Sequence, residues 1–133
     1  MKFILMMHAP RGTGDWDIMT KWSQGEVEAH IQYLNDINAD LRKAGELVNI
    51  EGLMPPKHAR IVRAGKGGAP DVTDGPFAES KEFLAGWWIV DVATPERAYA
   101  IAGRASAAPG PGGKPLNMAI EVREVMSAPP VEV

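Results

Sequence analysis

The chain has no cysteine. Disulfide frameworks, thiol nucleophiles and zinc–thiolate centres are therefore excluded, and a reducing compartment is the natural setting. It has no long hydrophobic run either. The N-terminal stretch Phe3-Ile4-Leu5-Met6-Met7 is apolar but far too short to span a bilayer. His8 and the loop from Pro10 to Asp17 end it before the apolar region of a secretory signal can form. No basic stripe is present, and the formal net charge is −3, so the electrostatic footprint of nucleic-acid binding is missing. Phosphate-binding glycine loops are absent: no G-x-x-x-x-G-K-[ST] and no strand-linked G-x-G-x-x-G occurs. The three histidines, His8, His30 and His58, show neither H-x-H nor H-x-x-x-H spacing, so no metal site and no cofactor is expected. These absences place the chain in the cytoplasm, away from membranes and nucleic acid.

What is present suits one domain. The length of 133 residues supports a real core, and 45% apolar with 23% charged residues is ordinary for a globular protein. Lys2–Met7 reads as a buried strand. The loop from Ala9 to about Gln24 carries Trp16 and Trp22, either as a lid or as cover for apolar surface. From Glu26 the period turns helical: Val27, Ile31, Leu34, Ile37 and Leu41 recur at steps of three and four. Arg42-Lys43 lies in the last turn and Gly45 just beyond it. A short strand over Glu46–Ile50 follows, then a small hairpin with arms Ala59–Arg63 and Asp71–Thr73.

Gly86–Val92 is aromatic and β-branched, as strands favour. Thr94-Pro95-Glu96 starts a second helix with an N-cap hydroxyl, proline at the first helical position and an acid in the first turn. Its apolar stripe is Ala98, Ile101, Ala102 and Ala105. The stretch from Ser106 to Pro115, with three prolines and three glycines, reads as a mobile loop. Ala119–Val125 is a last strand. Residues 1–126 thus form one domain, and 127–133 an extended proline-rich tail. Without the hairpin the order is βαββαβ, a ferredoxin-like α+β plan. That plan leaves one sheet face without helices, and the apolar strands imply that a second copy covers it.

The most distinctive stretch is Asp74-Gly75-Pro76-Phe77-Ala78-Glu79-Ser80-Lys81-Glu82, just before the Gly86–Val92 strand. Gly75 suits a reversal with φ > 0, Pro76 fixes φ, and Phe77 is the expected anchor into the core. This motif resembles the signature of the DGPF group of the YCII-related family. Asn38–Gly45, Glu51-Gly52-Leu53 with Pro55-Pro56, Gly86–Val92 and Ile120–Val125 resemble further segments of that group. The resemblance implies a ferredoxin-like fold that dimerises into an α/β barrel. It implies no settled activity. Some relatives in the wider family resemble small-molecule lyases of the dehalogenating type, and others are linked to sigma factors or transcription. The wider family also has a His–Asp pair proposed as an active site, and His30 in Ala29-His30-Ile31-Gln32-Tyr33-Leu34 resembles its histidine-bearing helix segment.

Two functions follow as expectations. In the first, a homodimer binds an unknown small molecule between helix one, the sheet and the motif. It is then a candidate for acid–base elimination or isomerisation, with His30 as base and Asp74 as its partner or a substrate contact. Phe77, Glu79, Lys81 and Trp88 complete the candidate binding set. His30 lies on the apolar stripe and is expected to face the sheet, either as a base or as a core histidine satisfied by a backbone carbonyl. Asp74 before glycine equally suits a turn that holds its own backbone. In the second, the protein is a non-catalytic regulatory or interaction module, with the motif as its docking surface. A buried Phe77 favours the first reading and an exposed Phe77 the second. Asp91, a carboxylate in an apolar strand, is expected to pair with an arginine such as Arg104 or Arg123. Whether the chain is an enzyme is open at this level.

Overall fold

The computed structural model describes residues 1–10, 18–77 and 81–126. The loop tryptophan Trp16, the motif residue Glu79 and the tail 127–133 lie outside these. Among the described residues, six strands and two α-helices run in the order β1 (Lys2–Pro10), α1 (Gln24–Lys43), β2 (Leu47–Gly52), β3 (Arg60–Ala64), β4 (Pro70–Asp74), β5 (Glu82–Asp91), α2 (Pro95–Ser106) and β6 (Ile120–Glu124). The main sheet has the order β2-β5-β1-β6, and every neighbouring pair is antiparallel. This mixed α+β arrangement is compatible with the ferredoxin-like plan. The hairpin β3–β4 forms its own two-stranded sheet.

Local chemistry accounts for the helix ends. Ser23 caps α1 with a full capping box: its hydroxyl accepts from the Glu26 N–H, and the Glu26 carboxylate accepts from the Ser23 N–H. Gly45 takes φ 72° just past the end, where a Cβ would be strained. Thr94 caps α2, with Pro95 as its first residue.

The core lies between the helices and one sheet face. Phe3 and Leu5 of β1 and Trp88 and Val90 of β5 pack against Ile37 and Leu41 of α1 and Ala98, Ile101, Ala102 and Ala105 of α2. The alanines of α2 let its backbone approach the sheet closely. Leu5, Ile37 and Val90 are fully buried, each worth about 1.5–3 kcal/mol of transfer free energy. Alternate residues point to the other face: Ile4 pairs with Ile89 and Met6 with Trp87, all four half-buried and outside that core. Tyr33 Oη donates to the Arg104 carbonyl at 2.8 Å, and Arg104 pairs with Asp40, tying α1 to α2. Arg97 holds Glu46 with donor–acceptor distances of 2.8 and 3.0 Å, a hydrogen-bonded pair that lowers the glutamate pKa and raises the arginine's.

Three expectations change. α1 begins two residues before Glu26 and is turned so that His30, Ile37 and Leu41 are its buried positions, while Ile31 is half exposed. Asp91 meets the Met1 amino group at 3.2 Å rather than an arginine, because β5 ends beside the start of β1. The proline- and glycine-rich stretch is held by hydrogen bonds and partly buried. Pro109 bridges to Pro115, Gly110 N–H donates to Lys114 O at 2.8 Å, and Ala108 and Gly110 are buried.

Candidate functional site

The motif follows directly from the exposed arm β3–β4. Gly75 N–H donates to Ala59 O at 3.0 Å. A Cβ on Gly75 would sit 3.2–3.3 Å from Ala59 atoms, so glycine eases a close approach there and is not called for by a left-handed φ. The Gly75–Pro76 peptide is cis. Phe77 does not anchor the core: it is 62% exposed. β5 begins at Glu82, and its second residue, Phe83, is buried. The side chain of Asp74 is 96% exposed and lies 3.7 Å from Arg60, its register partner on β3. Lys81 is exposed.

His30 sits elsewhere. Its Nδ1 lies 3.0 Å from the carbonyl oxygen of Pro109, and the ring of Trp22 packs edge-on against it at 5.4 Å. It is buried against the proline-rich loop rather than facing the sheet. A carbonyl only accepts, so Nδ1 carries a proton, and in the neutral ring the lone pair is then on Nε2. Glu26, one turn earlier, accepts from Gly112 N–H at 2.6 Å while completing the capping box. The Gly112 and Ser23 N–H groups hold its carboxyl below the usual carboxylate range. The first turns of α1 thus fasten the 108–115 loop at two points.

Two cavities lie between these features. One, of about 420 Å³, is lined by Leu53–Pro56, His58, Ala59, Pro76, Phe77 and Glu82–Leu84. Met54, at 74% exposure, lines it as well. The other, of about 310 Å³, lies between α1 and the β2–β5 edge of the sheet. Ile31, Leu34, Asn35 and Asn38 of α1 face Met7 of β1, Ile50–Gly52 of β2 and Ala85–Trp88 of β5, so Glu51 is the one ionisable residue of this lining. Trp88 Nε1–H donates to Asn38 Oδ1 at 2.9 Å, which orients the carboxamide. Gly52 and Gly86 are register partners. A Cβ on Gly86 would lie 2.6 Å from Glu51 O, whereas a Cβ on Gly52 would meet nothing within 4 Å.

Of the expected site residues, Phe77 lines the first cavity and Trp88 the second. His30 and Asp74 line neither, and each has its own separate partner. Asn38 escaped the sequence reading, although a carboxamide four residues after Leu34 on the apolar stripe was the available signal. His8 Nε2 meets Glu121 at 3.0 Å, and His58 lines the first cavity. Among the described residues, no group of three or more acidic or histidine side chains is placed to hold a metal ion, and no helix is long and apolar enough to cross a membrane.

The family model for the YCII-related domain matches residues 1–112. An uncharacterised protein of Rhizobium meliloti (strain 1021) is 32% identical over 93 residues, covering 70% of this chain and 74% of that protein.

Proposed function

The chain belongs to the YCII-related family, and from that premise we propose that it is a small-molecule-binding protein acting as a cytoplasmic homodimer. The observation that carries this reading is the cavity between α1 and the β2–β5 edge. Its walls are apolar, its helix side presents two carboxamides, and one of these is held in place by a tryptophan. Concave, mostly apolar hollows with a few fixed polar groups are what small ligands occupy. The half-buried patch of Ile4, Met6, Trp87 and Ile89 supports pairing of two copies face to face, the dimeric barrel arrangement.

Acid–base elimination or isomerisation belongs to the same proposal. His30 is outside the lining of that cavity and would serve as base only for a ligand that reaches its side of α1, through Nε2, since the Pro109 carbonyl occupies Nδ1. Asp74 enters as a substrate contact rather than as the partner of His30, because its carboxylate is exposed beside Arg60. Glu79 and Lys81 remain candidate binding residues of the motif. The test is a thermal-shift screen followed by titration of the hits against Gly52→Leu and His30→Ala. Loss of binding in Gly52→Leu supports the cavity. Unchanged binding and turnover in His30→Ala removes the histidine from the site.

A second reading has its own support. Phe77 at 62% and Met54 at 74% exposure form an apolar rim on the motif, which suits a regulatory or transcription-linked docking surface. A stoichiometric partner recovered by the native chain and lost with Phe77→Asp would favour it.

A further inference from the structure

We propose that the cavity beneath α1 takes an uncharged carbonyl compound, such as a primary amide, ketone or lactone, read by the Asn38 carboxamide. This rests on the reading above that the cavity is a ligand site, and names the ligand's class. The pleat decides which side chains enter. Ile50 pairs with Trp88 and Gly52 with Gly86 on the helix side, while Glu51 pairs with Trp87 on the opposite face. Trp87 Nε1–H accordingly bonds Asn49 on that opposite face at 2.7 Å. Glu51 therefore offers the cavity its backbone and not its carboxylate. Among the described residues Glu51 is the only ionisable member of the lining, and strand alternation turns its carboxylate to the other face.

A charged ligand would give up part of its hydration against largely apolar walls that offer no counter-charge, which is unfavourable. A neutral one escapes that cost. Asn35 and Asn38 are the side-chain amides of the lining, and of the two Asn38 is the one fixed by a hydrogen bond from Trp88. Its Oδ1 already accepts from Trp88, which leaves one lone pair there and the whole amino group, a donor only, to meet a ligand. A donor selects an acceptor, and a carbonyl oxygen is the strongest neutral one. Gly52 makes the room: a side chain there would grow into open space at the cavity wall, and its backbone is not left-handed, so a larger residue fits without strain.

The test uses three probes of one shape: benzamide, benzoate and benzylamine. Each is titrated into the ¹⁵N-labelled full chain while the Gly52 and Gly86 amides and the Trp88 indole N–H are followed by NMR. Benzamide is expected to shift these three signals, with benzoate and benzylamine roughly tenfold or more weaker. Asn38→Asp keeps an acceptor for Trp88 but replaces the donor by an anion, so the preference is expected to pass to benzylamine. Gly52→Leu is expected to abolish the benzamide shifts. Equal affinity for the three probes in the native chain, or an unchanged order in Asn38→Asp, overturns the ligand class while leaving the cavity a binding site. Absence of shifts from every probe overturns both.

Discussion

Trp88 Nε1–H donates to Asn38 Oδ1 at 2.9 Å, joining the centre of β5 to the middle of α1 across the edge of the cavity. The indole is 4% exposed, so this donor has no ready access to water if its partner is lost. Asn38→Leu is expected to cost about 1–3 kcal/mol of stability, the penalty of an unpaired buried donor. Trp88→Phe combined with Asn38→Leu should cost less than the sum of the single changes, because the second removal no longer orphans anything. Urea denaturation of the four proteins of this cycle measures the coupling. Strict additivity would mean the bond contributes nothing.

Phe77 and Phe83 should behave in opposite ways. Phe83 is buried, and Phe83→Ala is expected to cost about 3–5 kcal/mol. Phe77 is 62% exposed, and Phe77→Ala should cost less than about 1 kcal/mol. Thermal or urea unfolding of the two variants checks this ordering. Equal costs would mean that Phe77 is anchored after all.

Acid should loosen the loop that Glu26 holds. The Glu26 pKa is lowered in the folded chain by the N–H groups of Gly112 and Ser23. The stabilisation is therefore fully present above the ordinary glutamate value of 4.5 and is lost as the pH falls through the lower folded value. Hydrogen exchange at the Gly112 amide should show weaker protection, beyond the intrinsic pH dependence, over that acid range. In Glu26→Ala the protection should be low throughout, with the acid-linked step gone. A step that survives in Glu26→Ala would assign it to another group.

The apolar sheet face yields a test of assembly. Trp87→Asp or Ile4→Glu places a charge among Ile4, Met6, Trp87 and Ile89 without entering the helix-side core. Light scattering should find the native chain dimeric and either variant monomeric and folded. A native chain that is monomeric in dilute solution would contradict the dimer.

The elements were legible in the sequence where a local signal was strong. The α2 stripe of Ala98, Ile101, Ala102 and Ala105 is buried as its spacing implied, and Thr94-Pro95 starts that helix. The motif was legible as a distinctive stretch but not in its geometry. Phe77 looked like an anchor because it was the only large apolar residue nearby, and only the point where β5 begins reveals that Phe83 takes that place. Gly75 looked like a turn glycine, but its reason is the neighbouring backbone of Ala59, a contact across the base of a hairpin. The helix-two loop looked mobile from its prolines and glycines, because its fasteners, Glu26 and His30, lie some eighty positions earlier. The cavity was the least legible part. It depends on the pairing of Gly52 with Gly86, a register that no single segment encodes.

The measurement that bears most directly on the central claim is a crystal structure of the protein soaked with the best hit from the thermal-shift screen. The ligand is expected between α1 and the β2–β5 edge, against Trp88 and Asn38 and over Gly52. Density beside Phe77 and Met54 instead, with the cavity beneath α1 unchanged, would contradict it.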